Sequence, residues 1–171
     1  LDGSVRAEYA LPLTRAVAEY WNASVFLTHI VSPPVLFSRG PLAPDELKLI
    51  DNCVQRNLAD ARTYLKDMQE QLSVDSKLRL SVSANVLGAL ENVAAQNAID
   101  LMICTAHGQG CHARHAYGTL VTNCILYGQV ATLVIQDLPA EQMELTAAEK
   151  AVRKLNTEEE PRMPAGTPGF Y

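Results

Sequence analysis

Residues Leu101–Gln136 read LMICTAHGQGCHARHAYGTLVTNCILYGQVATLVIQ, and their punctuation decides the fold. A short apolar run, Leu101 to Cys104, is followed by a loop holding Gly108 and Gly110, and then by Gly118 and Thr119 at the head of a second apolar segment. The segment closes on ATLVIQ, Ala131 to Gln136. This is the order strand, glycine-bearing loop, helix start, strand. No Asp or Glu occurs between Asp100 and Asp137, whereas Arg114 and three of the four histidines, His107, His112 and His115, fall inside the loop. In a chain of net charge −5, this acid-free stretch is where an anion is expected.

A phosphate group needs bare backbone N–H donors and gains from the partial positive charge at a helix N-terminus. Gly108 and Gly110 allow close backbone approach, and Thr119 is expected to offer a hydroxyl and to cap the helix that follows. The plainer account is that the glycines only turn the chain. Clustered His107, Cys111, His112 and His115 raise the question of zinc, but no CxxC or HExxH spacing supports it, and no metal site is expected. Covalent catalysis has no constellation either: a GxSxG elbow and a GxxxxGK[ST] phosphate loop are both missing from the sequence.

The remaining segments alternate. Ser4 is a plausible N-cap for a helix over Val5–Tyr20, with Pro12 weakening its first turns. Ser24–Val31 is a near-continuous apolar run of strand length, as expected of a parallel strand buried on both faces; His29 within it is expected to be a core or strand-end histidine. Ser32–Pro44 holds four prolines and a glycine and is a long loop, either a lid over a site or plain surface. The steps Leu47, Ile50, Val54, Leu58, Ala61, Leu65, Met68, Leu72 mark a long amphipathic helix from Asp45. Leu78–Val86 alternates like a strand near a sheet edge, Leu87–Asn97 is a short helix, and strands follow at Leu101–Thr105 and Ala131–Gln136. Strict alternation implies a parallel, doubly wound α/β sheet with helices on both faces.

Composition agrees. A chain of 171 residues with 48% hydrophobic content suffices for one domain burying roughly 70% of its unfolded surface. No apolar run approaches the ~20 residues of a membrane helix, and no secretory leader pattern opens the chain, so no membrane insertion and a cytoplasmic location are expected. The four cysteines have no framework spacing and read as reduced thiols. The acidic balance argues against nucleic acid as a partner. Residues 137–171 carry Glu158-Glu159-Glu160-Pro161 and a Pro/Gly-rich close, and are expected to be a polar, partly flexible extension.

The spacing Gly108, nine residues, Gly118-Thr119 resembles the nucleotide-binding signature of the universal stress protein family, which reads glycine, two residues, glycine, nine residues, glycine, serine or threonine. Leu1-Asp2-Gly3-Ser4 followed by Ala7-Glu8-x-Ala10-Leu11-Pro12 is similar to the family's opening turn and first helix, and Ile99–Ile103 to the entry of its fourth strand. The resemblance covers residues 1–136, which it makes one domain, and implies a five-stranded sheet of order 3-2-1-4-5 whose first strand lies largely upstream of residue 1. It further implies an adenine nucleotide, ATP or AMP with or without Mg2+, at Asp2, Ile30, Thr105, His107, Gly108, Gly110, Arg114, Gly118 and Thr119. The backbone of Ile30 would face the adenine edge and Asp2 the adenine or ribose. One departure stands out: Thr105 occupies the place of the signature's first glycine, where a Cβ and hydroxyl crowd the ribose or the first phosphates. The expected function is a regulatory nucleotide-binding module of stress response, a homodimer through Ala131–Gln136. Its alternatives are a nucleotide-free dimerising domain, for which Thr105 argues, and a weak ATP hydrolase.

Overall fold

The computed structural model describes residues 1–36, 40–109 and 116–137. Nine elements follow one another among them: α1 (Val5–Glu8), α2 (Ala10–Trp21), β1 (Val25–Val31), α3 (Pro44–Leu72), β2 (Ser76–Val82), α4 (Val86–Gln96), β3 (Leu101–Thr105), α5 (Thr119–Tyr127) and β4 (Ala131–Ile135). Strands pair in parallel as β1 with β2, Val25 opposite Ser76, and as β3 with β4, Leu101 opposite Ala131. Each pair is joined by a helix, the connection that parallel neighbours require. These are the outer halves of the expected 3-2-1-4-5 order; the five-stranded sheet itself is not formed, because the described strands make two separate two-stranded sheets. Between them lies Leu1, whose N–H donates to the carbonyl of Thr28 on β1 at 2.9 Å.

The expected helix over Val5–Tyr20 is broken at Tyr9 into α1 and α2. Pro12 explains the place of the break: it has no N–H to give to the carbonyl of Glu8, four residues back, and its ring would collide with that carbonyl. Ser4 is the N-cap, its hydroxyl accepting from the Ala7 N–H at 3.2 Å. In α3, Pro44 takes the first turn and Glu46 reaches back to accept the Ala43 N–H at 2.7 Å. At 29 residues this helix is roughly 43 Å long, against about 23 Å for a seven-residue strand, so its first turns overhang. Leu47 is accordingly 54% exposed, and the buried stripe begins at Val54 and runs through Ala61, Leu65, Met68 and Leu72. With Leu11 and Leu27, the last three of these form the core cluster.

The third strand ends earlier than its alternation suggested. Asn85 is the N-cap of α4, accepting from the Gly88 N–H at 3.0 Å, so strand β2 stops at Val82. Alternate residues of a strand face opposite ways: Leu78 and Leu80 pack towards the α3 core, while Arg79 turns to Asn97 at the end of α4, its Nη2 donating to Oδ1 at 2.9 Å. Helices α3 and α4 therefore cover opposite faces. The Ser83 N–H donates inward to Val31, which leaves the carbonyls of Ser76 and Leu78 on the outer edge; Gln69 Nε2 donates to the first and Arg79 Nη1 to the second. No helix among the described residues is long and apolar enough to cross a membrane.

Candidate functional site

Two turns meet at the C-terminal ends of β1 and β3, the place where ligands bind in open α/β folds. The first is Asp2-Gly3-Ser4, in which Gly3 adopts a positive φ of 84°. Asp2 Oδ1 accepts from the Ser4 N–H at 3.0 Å and the Ser4 hydroxyl at 2.6 Å, and Oδ2 accepts from the Gln109 N–H at 2.6 Å. One carboxylate thus ties the opening turn to the glycine loop. Burial pushes the Asp2 carboxyl up, but the Ser4 hydroxyl and the N–H groups of Gln109 and Ser4 outweigh it and hold it below the usual carboxylate range. Gly108 is what permits the contact, since a Cβ there would lie 2.1 Å from Asp2 Oδ2.

The second turn leaves β3 through Thr105, Ala106 and His107, all buried. The Thr105 hydroxyl donates to the carbonyl of His107 at 2.7 Å, so this side chain closes the turn within the protein. The Ala106 N–H donates to the carbonyl of Ile135, and the Gly118 N–H returns to the carbonyl of Ala106 at 2.8 Å, shutting the base of the loop. A Cβ on Gly118 would lie 3.3 Å from that same carbonyl. Gly118, and not Thr119, is the N-cap of α5; Thr119 is its first residue and is exposed. The expectation of a Thr119 cap is corrected accordingly, because the chain turns into the helix at the glycine.

Ile30 lies in β1 opposite Ser81. Alternation along the strand puts its N–H and C=O on the edge of the Thr28 carbonyl, the edge that meets Leu1. Asp2, Ile30, Thr105, His107, Gly108 and Gly118 therefore gather at one end of the fold. Gly110 and Arg114 lie outside the described residues, as do Cys111, His112 and His115 of the weighed metal cluster and the extension from residue 138. No group of three His, Cys, Asp or Glu side chains is arranged around a metal position among the described residues.

The structure brings a second carboxylate besides Asp2 to the loop. Asp137 Oδ1 accepts from the backbone N–H of His107 at 3.0 Å and from its Nδ1 at 2.8 Å, both side chains being fully buried. Arg6 Nη1 stands 3.7 Å from the other oxygen, Oδ2. The available signal was positional: Asp137 ends the acid-free stretch and immediately follows the last strand.

Below the opening turn, His29 and Tyr64 meet edge to face with ring centroids 6.3 Å apart, and neither His29 Nδ1 nor Tyr64 Oη has a hydrogen-bond partner among the described residues. Burial lowers the His29 pKa, only partly offset by Asp2, and raises that of Tyr64 to about 12. The folded state therefore favours neutral His29. As the pH falls through the unfolded value near 6.5, the unfolded chain takes up the proton first and stability is lost, until the lower folded pKa is reached. His29→Phe is expected to flatten this slope in urea midpoints taken at pH 7.5 and 5.5; a slope left unchanged would assign it to other groups.

This geometry belongs to a known class of fold. No family model matches the sequence, and no curated protein matches it. Among solved structures, the chain superposes on the universal stress protein UspA from Lactobacillus plantarum with a TM-score of 0.68 at 18% identity, covering 79% of this chain and 92% of that one. A universal stress protein family member from Burkholderia pseudomallei gives a TM-score of 0.51 at 20% identity over 79% and 90%. A universal stress protein in complex with cAMP gives 0.50 at 17% over 81% and 93%. The fold is that of a universal stress protein domain.

Proposed function

We propose that the chain is a universal stress protein that binds an adenine nucleotide, ATP or AMP, between the Asp2-Gly3-Ser4 turn and the His107–Thr119 loop. Its role is regulatory, in cytoplasmic stress response, and it dimerises through Ala131–Gln136. The observation that carries this reading is the convergence of the two turns: Gly108 lies against Asp2, Gly118 against the Ala106 carbonyl at the base of the same loop, and Leu1, next to Asp2, on the β1 edge to which Ile30 belongs, at the strand ends where such sheets take ligands. The cAMP bound by one of the similar proteins is a ligand of the same class. Phosphates would lie against the loop backbone and the start of α5, and the adenine against Ile30. Mg2+ would come with the phosphates, since Asp2 and Asp137 are each already engaged by protein donors. Asp2 is held on both oxygens and the Asp137 side chain is fully buried, so neither is placed as a base for hydrolysis, which ranks the hydrolase reading last.

A nucleotide-free, dimerising domain is the second reading, and a specific contact favours it: Asp2 Oδ2 already accepts the Gln109 N–H, one of the donors a phosphate would use. Denaturing freshly purified protein and identifying what is released separates the two. Near-stoichiometric adenine nucleotide from the parent and none from Gly118→Val is the expected result, because a valine side chain there meets the Ala106 carbonyl and shields the loop. Release from neither, with no calorimetric signal from millimolar ATP, would leave the nucleotide-free domain.

A further inference from the structure

The last strand does more than complete its sheet: three consecutive residues at its end reach the glycine loop. The Ile135 carbonyl accepts from the Ala106 N–H at 2.7 Å, Gln136 Nε2 donates to the Ala116 carbonyl at 3.0 Å, and Asp137 holds His107 by its backbone and by its ring. Both the entry and the exit of the loop are therefore fixed from one short segment. We propose that Asp137 is the positioning residue of the phosphate loop, setting the direction of the loop's N–H groups through His107, with Arg6 as its counter-charge. The proposal rests on the nucleotide-binding reading above and extends it to residues outside the glycine signature.

The chemistry of the pair supports a positioning role over a stabilising one. A fully buried carboxylate is costly to desolvate unless every lone pair finds a donor. Asp137 Oδ1 has two donors, but Oδ2 and the facing Arg6 Nη1 have no hydrogen-bond partner among the described residues, and their 3.7 Å separation is too long for one. An apolar side chain of similar size would give a core without this cost. What such a side chain would lose is direction. An ionised carboxylate offers no proton, so Nδ1 of His107 is the donor, which fixes the tautomer and the plane of the ring. The same oxygen orients the Ala106–His107 peptide, and the Thr105 hydroxyl, donating to the His107 carbonyl, orients the next one, which carries the Gly108 N–H. An entry to the loop aimed in this way offers the Gly108 N–H to an incoming anion without rearranging first.

The test uses the full chain with Asp137→Asn, Arg6→Met and the parent, and compares ATP with adenosine by calorimetry. Asp137→Asn is expected to weaken ATP about tenfold while moving adenosine less than twofold, since adenosine makes no call on the phosphate loop. Arg6→Met, at the more open end of the pair, shifts ATP in the same direction by a smaller factor. Equal weakening of both ligands would show a general loss of structure and overturn the proposal. Two measurements on ligand-free protein stand apart from nucleotide binding. Nitrogen-15 spectra of His107 should show the proton on Nδ1 in the parent, and amide exchange at His107 and Gln109 should quicken in Asp137→Asn. A parent that binds no nucleotide but shows both signatures retires the nucleotide reading and keeps Asp137 as the residue that sets the loop. A proton on Nε2, or exchange unchanged by the substitution, overturns the proposal whatever the ligand does.

Discussion

Gly108→Ala is expected to lower the melting temperature by roughly 4–10 °C and to remove nucleotide retention. The added Cβ would lie 2.1 Å from Asp2 Oδ2 and 3.1 Å from its Cγ, so the carboxylate or the loop must move by an ångström or more. The carboxylate cannot move cheaply, because Ser4 N–H, Ser4 hydroxyl and Gln109 N–H all donate to it. Overpacking of this kind costs about 1–3 kcal/mol, and each hydrogen bond lost adds about 1 kcal/mol; a domain of this size gives back a few degrees per kcal/mol. Asp2→Ala in the same chain should relieve the collision, so the double variant is expected to melt higher than the two separate losses would predict. Calorimetric melting of the four proteins decides it. A single variant within 2 °C of the parent would mean that Asp2 and the loop are not held together in solution.

Leu65→Ala carries a comparable penalty without touching the site. Leu65 is 1% exposed and sits in the cluster with Leu11, Leu27, Met68 and Leu72 that joins α2, β1 and α3. Removing a buried leucine side chain costs about 2–5 kcal/mol, depending on how far the cavity collapses, a large share of the 5–15 kcal/mol typical of a whole domain. Urea titration should show the midpoint falling with the slope unchanged, while whatever fraction remains folded keeps the ligand affinity of the parent. A cost below 1 kcal/mol would show that α3 is not fastened to β1 through this residue.

The two expectations differ in how far the sequence alone announced them. The α3 stripe was legible because a helix of this length repeats its apolar step many times, and only the overhanging first turns departed from it. The strand-loop-helix-strand order around Gly108 and Gly118 was equally plain, since short apolar runs and glycines mark it directly. The break at Tyr9 was half visible: Pro12 was seen, but the position it disrupts is four residues earlier. Asn85 was absorbed into an alternating strand because an N-cap side chain and a strand side chain look alike until the next turn is seen. The Asp137–His107 pair, separated by 30 residues, left only the position of Asp137 after the last strand as a sign, because parallel pairing and not spacing brings it together. Nor does alternation state which strands adjoin. That is a property of the chain's return path.

The two outer strand edges are unlike, and the difference bears on symmetry. Along β2 the outward carbonyls of Ser76 and Leu78 are already taken by Gln69 and Arg79, so that edge offers little to a second chain. Along β4 the Thr132 hydroxyl donates to the carbonyl of Val130, just before the strand, but the outward backbone groups of Thr132 and Val134 themselves have no side-chain partner among the described residues. Association that uses one edge on each copy is self-complementary: a twofold axis satisfies both copies at once and leaves no further edge to recruit a third. Two open edges would instead permit head-to-tail addition without limit. If copies pair through β4 as proposed, Gln69 and Arg79, by blunting the other side, would favour closure at two copies over growth into a fibre.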